Sequence, residues 1–151
     1  MTKQITEEKF KEDVEKLDGF FVEKLQVNPF AFTDVSADYL IQNEKFDILC
    51  EVKEIKMRNR KTEPKFTISR LTQEKKLWDW EHRFQRNKSF IFFCFWDTNK
   101  KKSNSYLVSI LAWIRLRRIW IKSDITPEEF EQEFYLYKVK LNNNVWQLDF
   151  N

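Results

Sequence analysis

The first apolar positions of the chain recur with the period of an amphipathic helix. Three of them fall on one helical face: Phe10, Val14 and Leu17. Thr6 can cap this helix, and Gly19 can end it because glycine adopts the left-handed conformation at low cost. The pattern therefore predicts a helix from about Glu7 to Leu17, after which "FFVEKLQV" is predicted to be a strand that ends before Pro29.

Short apolar runs bounded by polar turns predict further strands. "DYLIQ" and "FDILCEVKEI" flank the polar turn "NEK", which is the pattern of an antiparallel hairpin. "SFIFFCFWD" is almost wholly apolar, as expected of a strand that helices cover on both faces. "SYLVSI" is predicted to return as another strand after the polar loop "TNKKKSN".

Helical patterns separate and follow these strands. After the basic loop "KMRNRKTEP", Ser69 or Thr72 is expected to cap a helix of about 15 residues that reaches Arg86. "LAWIRLRRIW" predicts a short helix with its arginines outward, and "TPEEFEQEF" predicts a helix that begins with a capping box of Thr126 and Glu129. "FYLYKVKL" and "VWQLDF" around "NNN" predict a last hairpin. These elements predict an α/β fold with a mixed central sheet flanked by helices.

Length and composition favour one compact domain. The 151 residues include 15 Phe and 6 Trp but one Gly and three Pro, as in a packed core with short turns. No run approaches the roughly 20 apolar residues of a membrane span, and the charged N-terminus lacks the apolar segment of a signal peptide. We therefore expect an intracellular, cytoplasmic protein with no membrane partner.

The cysteine and histidine content restricts the possible chemistry. Cys50 and Cys94 fall within predicted strands, where a reduced and buried thiol is the favoured state. His82 is the single histidine of the sequence, which excludes a histidine-based metal site and a Ser-His-Asp arrangement. Candidate chemistry therefore has to come from carboxylates, lysines and amides.

The net charge of +3 hides an uneven distribution of charge. Nine Lys or Arg residues accompany three Glu residues between positions 53 and 76. Positions 98–122 hold seven basic residues and no acid, whereas both ends of the chain are acidic. A basic patch of this kind suits a phosphate backbone, although solvated loops also collect lysine.

Charged residues of the predicted hairpin form a candidate reaction site. Side chains two apart on a strand face the same way, so Glu51 and Lys53 project together while Val52 faces the other layer. Asp38 begins the partner strand, and hairpin pairing can bring its carboxylate close to Glu51. Adjacent carboxylates repel each other, and Mg²⁺ or Mn²⁺ relieves the repulsion. The neighbouring amine can help deprotonate water or steady a phosphate, so the group has the parts needed for phosphodiester hydrolysis.

The same three residues also suit a surface hairpin with cross-strand ion pairs, since Glu-x-Lys is frequent by chance. Their order along the chain favours the site, because it resembles that of the PD-(D/E)XK nuclease superfamily. Within this superfamily, it is similar to the Holliday junction resolvases of archaea, Gram-positive bacteria and their phages. The matching segments are "SADYL", "CEVKEI", "PKFTISRLTQEKKL", "SFIFFCFWD" and "SYLVSILAWI". Ala37 stands where the family usually has proline.

The resemblance implies a single domain over 1–151, with a restriction-endonuclease-like core at about 7–114 and an addition at 123–151. It implies that Asp38, Glu51 and the Val52 carbonyl bind Mg²⁺, for which Mn²⁺ can substitute, and that Lys53 and the metal activate water. It implies one more acid on the first helix. The helical phase leaves Glu7 and Asp13 beside the apolar stripe. The resemblance places the acid about one turn before the first core residue, which favours Glu7, with Glu8 next. A favourable carboxylate in a first helical turn is the alternative role of that residue.

The resemblance also implies that Gln73 positions the attacking water or a DNA phosphate, the alternative being a solvated helix residue. The implied activity is that of a magnesium-dependent, structure-selective endodeoxyribonuclease that resolves four-way junctions by paired nicks, which requires a homodimer. The expected partner is branched DNA, not a small molecule. Its phosphates are expected to contact Arg58, Arg60, Lys61, Arg70, Lys76, Lys100, Lys101 and Lys102. The alternatives are a restriction-like or repair nuclease for other DNA structures, a non-catalytic nucleic-acid-binding module of the same fold, and a plain interaction domain.

Overall fold

The computed structural model describes residues 3–25, 37–56, 65–97 and 102–151. The helices are α1 (Lys3–Glu15), α2 (Glu74–Arg83), α3 (Ile110–Ile119) and α4 (Pro127–Phe134), with 3₁₀ turns at Ile68–Arg70 and Tyr135–Tyr137. The strands are β1 (Phe21–Lys24), β2 (Tyr39–Gln42), β3 (Asp47–Lys56), β4 (Phe66–Thr67), β5 (Asn87–Asp97), β6 (Lys102–Ser109), β7 (Asp124–Ile125), β8 (Lys138–Val139), β9 (Leu141–Asn142) and β10 (Val145–Trp146).

Six strands form one sheet in the order β1-β2-β3-β5-β6-β8. β3 and β5 run parallel to each other, and the other neighbouring pairs are antiparallel. The predicted α/β fold with a mixed central sheet is therefore confirmed, as is the β2–β3 hairpin. The other strands form two small ladders, β4 with β7 and β9 with β10.

Helices and the C-terminal segment cover β3 and β5 on both faces. On one face, Phe93 of β5 packs with Leu77, Trp113 and Phe130 from α2, α3 and α4. The buried side chains of the other face include Phe10, Val14, Val52, Phe92, Trp146 and Phe150. The wholly apolar pattern of β5 thus reflects burial on both faces, as predicted. Among the described helices, none is long and apolar enough to cross a membrane.

The start of α1 differs from the prediction. The helix begins at Lys3, so Thr6 lies inside it and does not cap it. The Thr6 side chain is fully buried, and its hydroxyl donates a hydrogen bond to the Glu54 carboxylate of β3. The Thr6 hydroxyl, which the local sequence predicted to cap the helix, therefore forms a long-range hydrogen bond instead. Gly19 has a φ of 80° and is left-handed as predicted, but α1 ends at Glu15, two residues before the predicted Leu17.

α2 is shorter than predicted and begins later. It spans Glu74–Arg83, and neither Ser69 nor Thr72 caps it, since Gln73 occupies the N-cap position. Long-range pairing explains the shift: Phe66–Thr67 pairs with Asp124–Ile125, and the Ile68 amide donates to the Ser123 carbonyl. This pairing holds Phe66–Thr67 extended, the 3₁₀ turn Ile68–Arg70 follows, and α2 begins only at Glu74.

The C-terminal segment completes the sheet. β8 pairs with β6 at the sheet edge, and β9 and β10 form a hairpin in which Asn143 and Asn144 have positive φ. The predicted last hairpin is thus present but shorter, because residues 135–139 of "FYLYKVKL" form a 3₁₀ turn and β8. The Trp146 amide donates to the buried Asp13 carboxylate of α1 at 3.0 Å, which ties the hairpin to the helix.

The capping box of α4 is present as predicted. Thr126 accepts a hydrogen bond from the Glu129 amide, and Glu129 accepts one from the Thr126 amide. Thr126→Ala is expected to lower the free energy of unfolding by about 1 kcal/mol, measured by urea denaturation. Ser123→Ala is the control, because the interaction described at Ser123 involves its backbone carbonyl. Equal stability of the two variants would contradict a contribution from the cap.

Cys50 and Cys94 are free and buried thiols. Burial raises the pKa of Cys94 to about 11 from an ordinary value near 9. The unfolded thiol therefore ionises first, and stability is expected to fall as the pH rises from about 9 to 11. Between these pH values, the ionisation of Cys94 is expected to lower the free energy of unfolding by roughly 2–3 kcal/mol. In Cys94→Ala, the unfolding free energy should depend less steeply on pH in this range. An unchanged slope would contradict the assignment of the effect to the Cys94 thiol.

Candidate functional site

The β2–β3 hairpin places Asp38 beside Glu51. Tyr39 pairs with Cys50, and the next position in this antiparallel register sets Asp38 opposite Glu51. Directly opposite residues have Cβ atoms about 4.5–5.5 Å apart. The Asp38 Oδ2 atom accepts a hydrogen bond from the Val52 amide at 2.8 Å, so this carboxylate replaces a backbone acceptor where the β2–β3 ladder ends.

Glu51 and Lys53 form a buried pair on one face of β3. Glu51 is 1% exposed, and the Lys53 side chain is 10% exposed. The Lys53 Nζ atom lies 3.7 Å from the Glu51 Oε1 atom, which confirms that the two side chains project together. Burying such charges is costly unless they are paired, so the alternative of a solvated surface hairpin is wrong for these two residues.

The raised pKa values of neighbouring groups indicate a negative electrostatic potential at this end of the hairpin. Burial raises the pKa of Cys50, and the carboxylates of Glu51 and Asp38 raise it further. Burial also raises the pKa of Tyr39, with added contributions from Glu7 and then Asp38. Carboxylates from α1, β2 and β3 thus act on the same small region, where a cation is favoured.

The donor atoms at this position suit a hard divalent cation. A residue in a strand points its amide and its carbonyl to the same edge, so the Val52 carbonyl faces the edge on which Asp38 lies. Together with the carboxylates of Asp38 and Glu51, it provides the oxygen ligands that Mg²⁺ and Mn²⁺ prefer. Within 3–25, 37–56, 65–97 and 102–151, no group of three or more His, Cys, Asp or Glu side chains is arranged to hold a metal ion. The candidate set therefore has two carboxylates and one carbonyl.

α2 lies antiparallel to β3 on the face that bears Glu51. Near its end, the Trp80 indole donates to the Asp47 carbonyl at 3.1 Å. One turn earlier, the Leu77 carbonyl accepts from the Ser89 hydroxyl at 2.6 Å, and Ser89 is level with Leu49 of β3. Moving toward the start of α2 therefore means moving along β3 toward its carboxyl end.

This direction brings Gln73 to the level of Glu51. Gln73 precedes Leu77 by four residues, about 6 Å of helix, which matches about two residues of strand beyond Leu49. Gln73 is 5% exposed, and its Oε1 atom is buried without a hydrogen-bond partner among the described residues. The predicted alternative of a solvated helix residue is wrong, and the unused acceptor faces no described donor.

Comparison of the chain with protein-family models and with curated protein sequences finds no match. The proposed relation to the PD-(D/E)XK nucleases therefore depends on the motif residues and on the geometry of the hairpin. Likeness of sequence over the whole chain contributes nothing to it.

Glu7 lies on α1, beside β1 and β2. Its side chain is 10% exposed, and its Oε2 atom lies 3.4 Å from the Lys24 Nζ atom of β1. The Tyr39 hydroxyl donates to the Glu7 carbonyl at 2.9 Å, which fixes α1 above β2. Because α1 begins at Lys3, Glu7 lies beyond the first helical turn, and the alternative role predicted for it there is wrong. Its participation as a metal ligand stays a prediction.

The predicted DNA contacts are described in part. Arg58, Arg60, Lys61, Lys100 and Lys101 lie outside the described residues. Arg70 is exposed and ends the 3₁₀ turn before α2, and Lys76 lies in the first turn of α2. Lys102 pairs with Asp97 where β5 ends and β6 begins. Arg70 and Lys76 thus lie at the start of α2, next to Gln73. Lys102 instead lines a cavity on the face of the sheet that α1 covers.

The sequence did not indicate two further residues of this region, Tyr39 and Glu54. Tyr39 is 1% exposed and its hydroxyl donates to the Glu7 carbonyl. Burial raises its pKa, and the carboxylates of Glu7 and Asp38 raise it further. Glu54 lies on the other face of β3, where it accepts from Thr6 and lies 3.4 Å from the Lys56 Nζ atom. The apolar run of β3 is a signal for Glu54, because a carboxylate in a strand buried on both faces needs a partner. Tyr39 carries no comparable signal, since tyrosine is common in strands.

Proposed function

We propose that this protein is a divalent-metal-dependent endonuclease that hydrolyses DNA phosphodiesters and acts on four-way junctions. The observation that carries the proposal is the hydrogen bond from the Val52 amide to Asp38, which holds a carboxylate beside the buried Glu51–Lys53 pair. Carboxylates, a carbonyl and an amine at the end of one hairpin are the groups that phosphodiester hydrolysis requires.

Each residue has a role that follows from its position. Asp38, Glu51 and the Val52 carbonyl would hold the cation. When bound, a divalent cation supplies positive charge to a phosphate and lowers the pKa of water. Lys53 is kept near Glu51 and offers an ammonium group for the negative charge that develops on the scissile phosphate. The buried Gln73 Oε1 atom can accept a hydrogen bond from the attacking water and so orient it.

The basic residues support a DNA substrate. Arg70 and Lys76 carry positive charge beside Gln73 at the start of α2, as phosphate contacts near the site require. Lys102 adds a positive charge where β5 ends. Paired nicks in a symmetric junction need two equivalent sites, and therefore a homodimer.

A panel of labelled DNAs tests the proposal. The purified chain is incubated with a four-way junction, a linear duplex and a nicked duplex, with Mg²⁺ or with EDTA. The expected result is paired nicks in the junction with Mg²⁺ and none with EDTA. Equal cleavage of the linear duplex would favour a restriction-like or repair nuclease, and binding without cleavage would favour a non-catalytic module.

Gln73→Met tests the role of the unused acceptor. Methionine has a similar shape but only a weakly accepting sulfur, so junction cleavage is expected to fall about 10- to 100-fold with junction binding unchanged. Removing a buried polar group without a partner should also raise the free energy of unfolding by about 1 kcal/mol. Gln85→Met, at an exposed glutamine after α2, is the matched control. Full activity of Gln73→Met would remove Gln73 from the site.

A further inference from the structure

Several large apolar side chains are exposed on one face of the molecule, which we call the α3–α4 face. Leu111 and Ile119 of α3 are 40% and 73% exposed, and Leu136 and Tyr137 after α4 are 78% and 36% exposed. Leu111, Arg115 and Ile119 follow at intervals of four residues, so they form one stripe along α3. Exposed apolar side chains grouped in this way are typical of interaction surfaces.

Two adjoining depressions make this face continuous. A groove of about 220 Å³ is lined by Arg115 and Ile119 of α3 and by Glu133 and Tyr137. A larger cavity of about 710 Å³ is lined by Leu111, Leu136 and the same Tyr137. Tyr137 therefore connects the two, and the apolar side chains belong to one surface with concave parts.

The charges on this face are segregated between the two helices. The exposed charges of α3 are basic (Arg115, Arg117 and Arg118), whereas those of α4 are acidic (Glu128, Glu131 and Glu133). Arg117 pairs with Glu74, and Glu131 pairs with Lys138. Arg115 and Glu133 line the same groove, yet neither forms an ion pair with any other described residue.

This pattern is self-complementary under a twofold rotation. In an isologous dimer, a residue that contacts a second position on its partner is matched by the reverse contact. A twofold axis through the groove would set Arg115 of each protomer against the Glu133 side chain of the other. The same rotation would bury the apolar stripe of α3 against the Leu136 and Tyr137 side chains.

We propose that the α3–α4 face is the surface through which two copies of this chain associate. The assignment deepens the proposed function, because it gives a surface to the homodimer that paired nicks require. A nucleic acid is a poorer occupant: the acidic face of α4 adjoins the groove and would repel phosphates. A second copy satisfies both helices at once, because it presents both charges.

Charge reversal at two positions tests this surface. Arg115→Glu and Glu133→Arg are made separately, and the association state of each is measured by sedimentation equilibrium without DNA. The unchanged chain is expected to be dimeric at micromolar concentration. Each variant sets like charges opposite each other twice and should weaken association at least about a hundredfold. An equimolar mixture of the two variants should restore the dimer, because opposite charges then meet at both contacts.

The outcomes separate the interface from the nuclease. Leu141→Asp, at an exposed leucine of the β9–β10 hairpin, is the matched control for Ile119→Asp and should remain dimeric while Ile119→Asp does not. A monomeric unchanged chain, or a mixture that stays monomeric, overturns the proposal. Arg115→Glu that stays dimeric but loses junction binding overturns it too and assigns α3 to DNA contact. Dimers that cleave no DNA contradict the proposed function and leave the interface standing.

Discussion

Asp38→Asn is expected to lower junction cleavage about a thousandfold or more while the protein remains folded. Asparagine has nearly the same shape, and its side-chain carbonyl can still accept the hydrogen bond from the Val52 amide. The substitution removes a negative charge that would hold the cation. A bound cation stabilises the transition state by several kcal/mol. Each 1.36 kcal/mol of activation free energy changes the rate tenfold.

The measurement compares single-turnover cleavage of a labelled junction with junction binding in the absence of Mg²⁺. Asp18→Asn, at an exposed aspartate after α1, is the matched control and should cleave normally. Glu51→Ala is a second variant that should abolish cleavage and leave junction binding largely intact. Cleavage by Asp38→Asn within tenfold of the unchanged protein would contradict the site, whatever the substrate.

Phe130→Ala is expected to lower the free energy of unfolding by about 3–5 kcal/mol. Phe130 of α4 is fully buried, and its ring centroid lies 4.6–4.9 Å from those of four other aromatic residues: Phe93, Phe95, Tyr106 and Phe134. Alanine would lose these contacts and leave a cavity that rigid neighbouring rings cannot fill.

Urea denaturation at neutral pH measures this effect. Phe84→Ala is the matched control, because Phe84 is 64% exposed and its loss should change stability by less than about 0.5 kcal/mol. A loss under about 1 kcal/mol for Phe130→Ala would mean that α4 is not part of the core and that residues 123–151 are separable from the sheet.

The sequence alone determined those parts of the fold that depend on neighbouring residues. The period-two pattern of β3 set Glu51 and Lys53 on one face. The polar turn predicted the hairpin, but the turn is one residue longer than "NEK": Gln42 pairs with Asp47, and this register sets Asp38 opposite Glu51. The capping box of α4 and the left-handed Gly19 were likewise predictable. Each of these features is controlled by residues a few positions apart, whose sterics and hydrogen bonds act locally.

Tertiary contacts decided the features on which local signals were misleading. The Thr6 hydroxyl bonds to the buried Glu54 carboxylate, and β4 pairs with β7 ahead of the 3₁₀ turn Ile68–Arg70, so neither predicted cap formed. The burial of Gln73, and the hydrogen bond from the Tyr39 hydroxyl to the Glu7 carbonyl of α1, likewise depend on how the helices lie across the sheet. Such partners are distant in the sequence, and a hydrogen-bonding side chain takes whichever partner the packed core presents. The local sequence pattern therefore predicted which side chains are candidates for the site. The packing of the helices against the sheet determined which of these side chains come into contact.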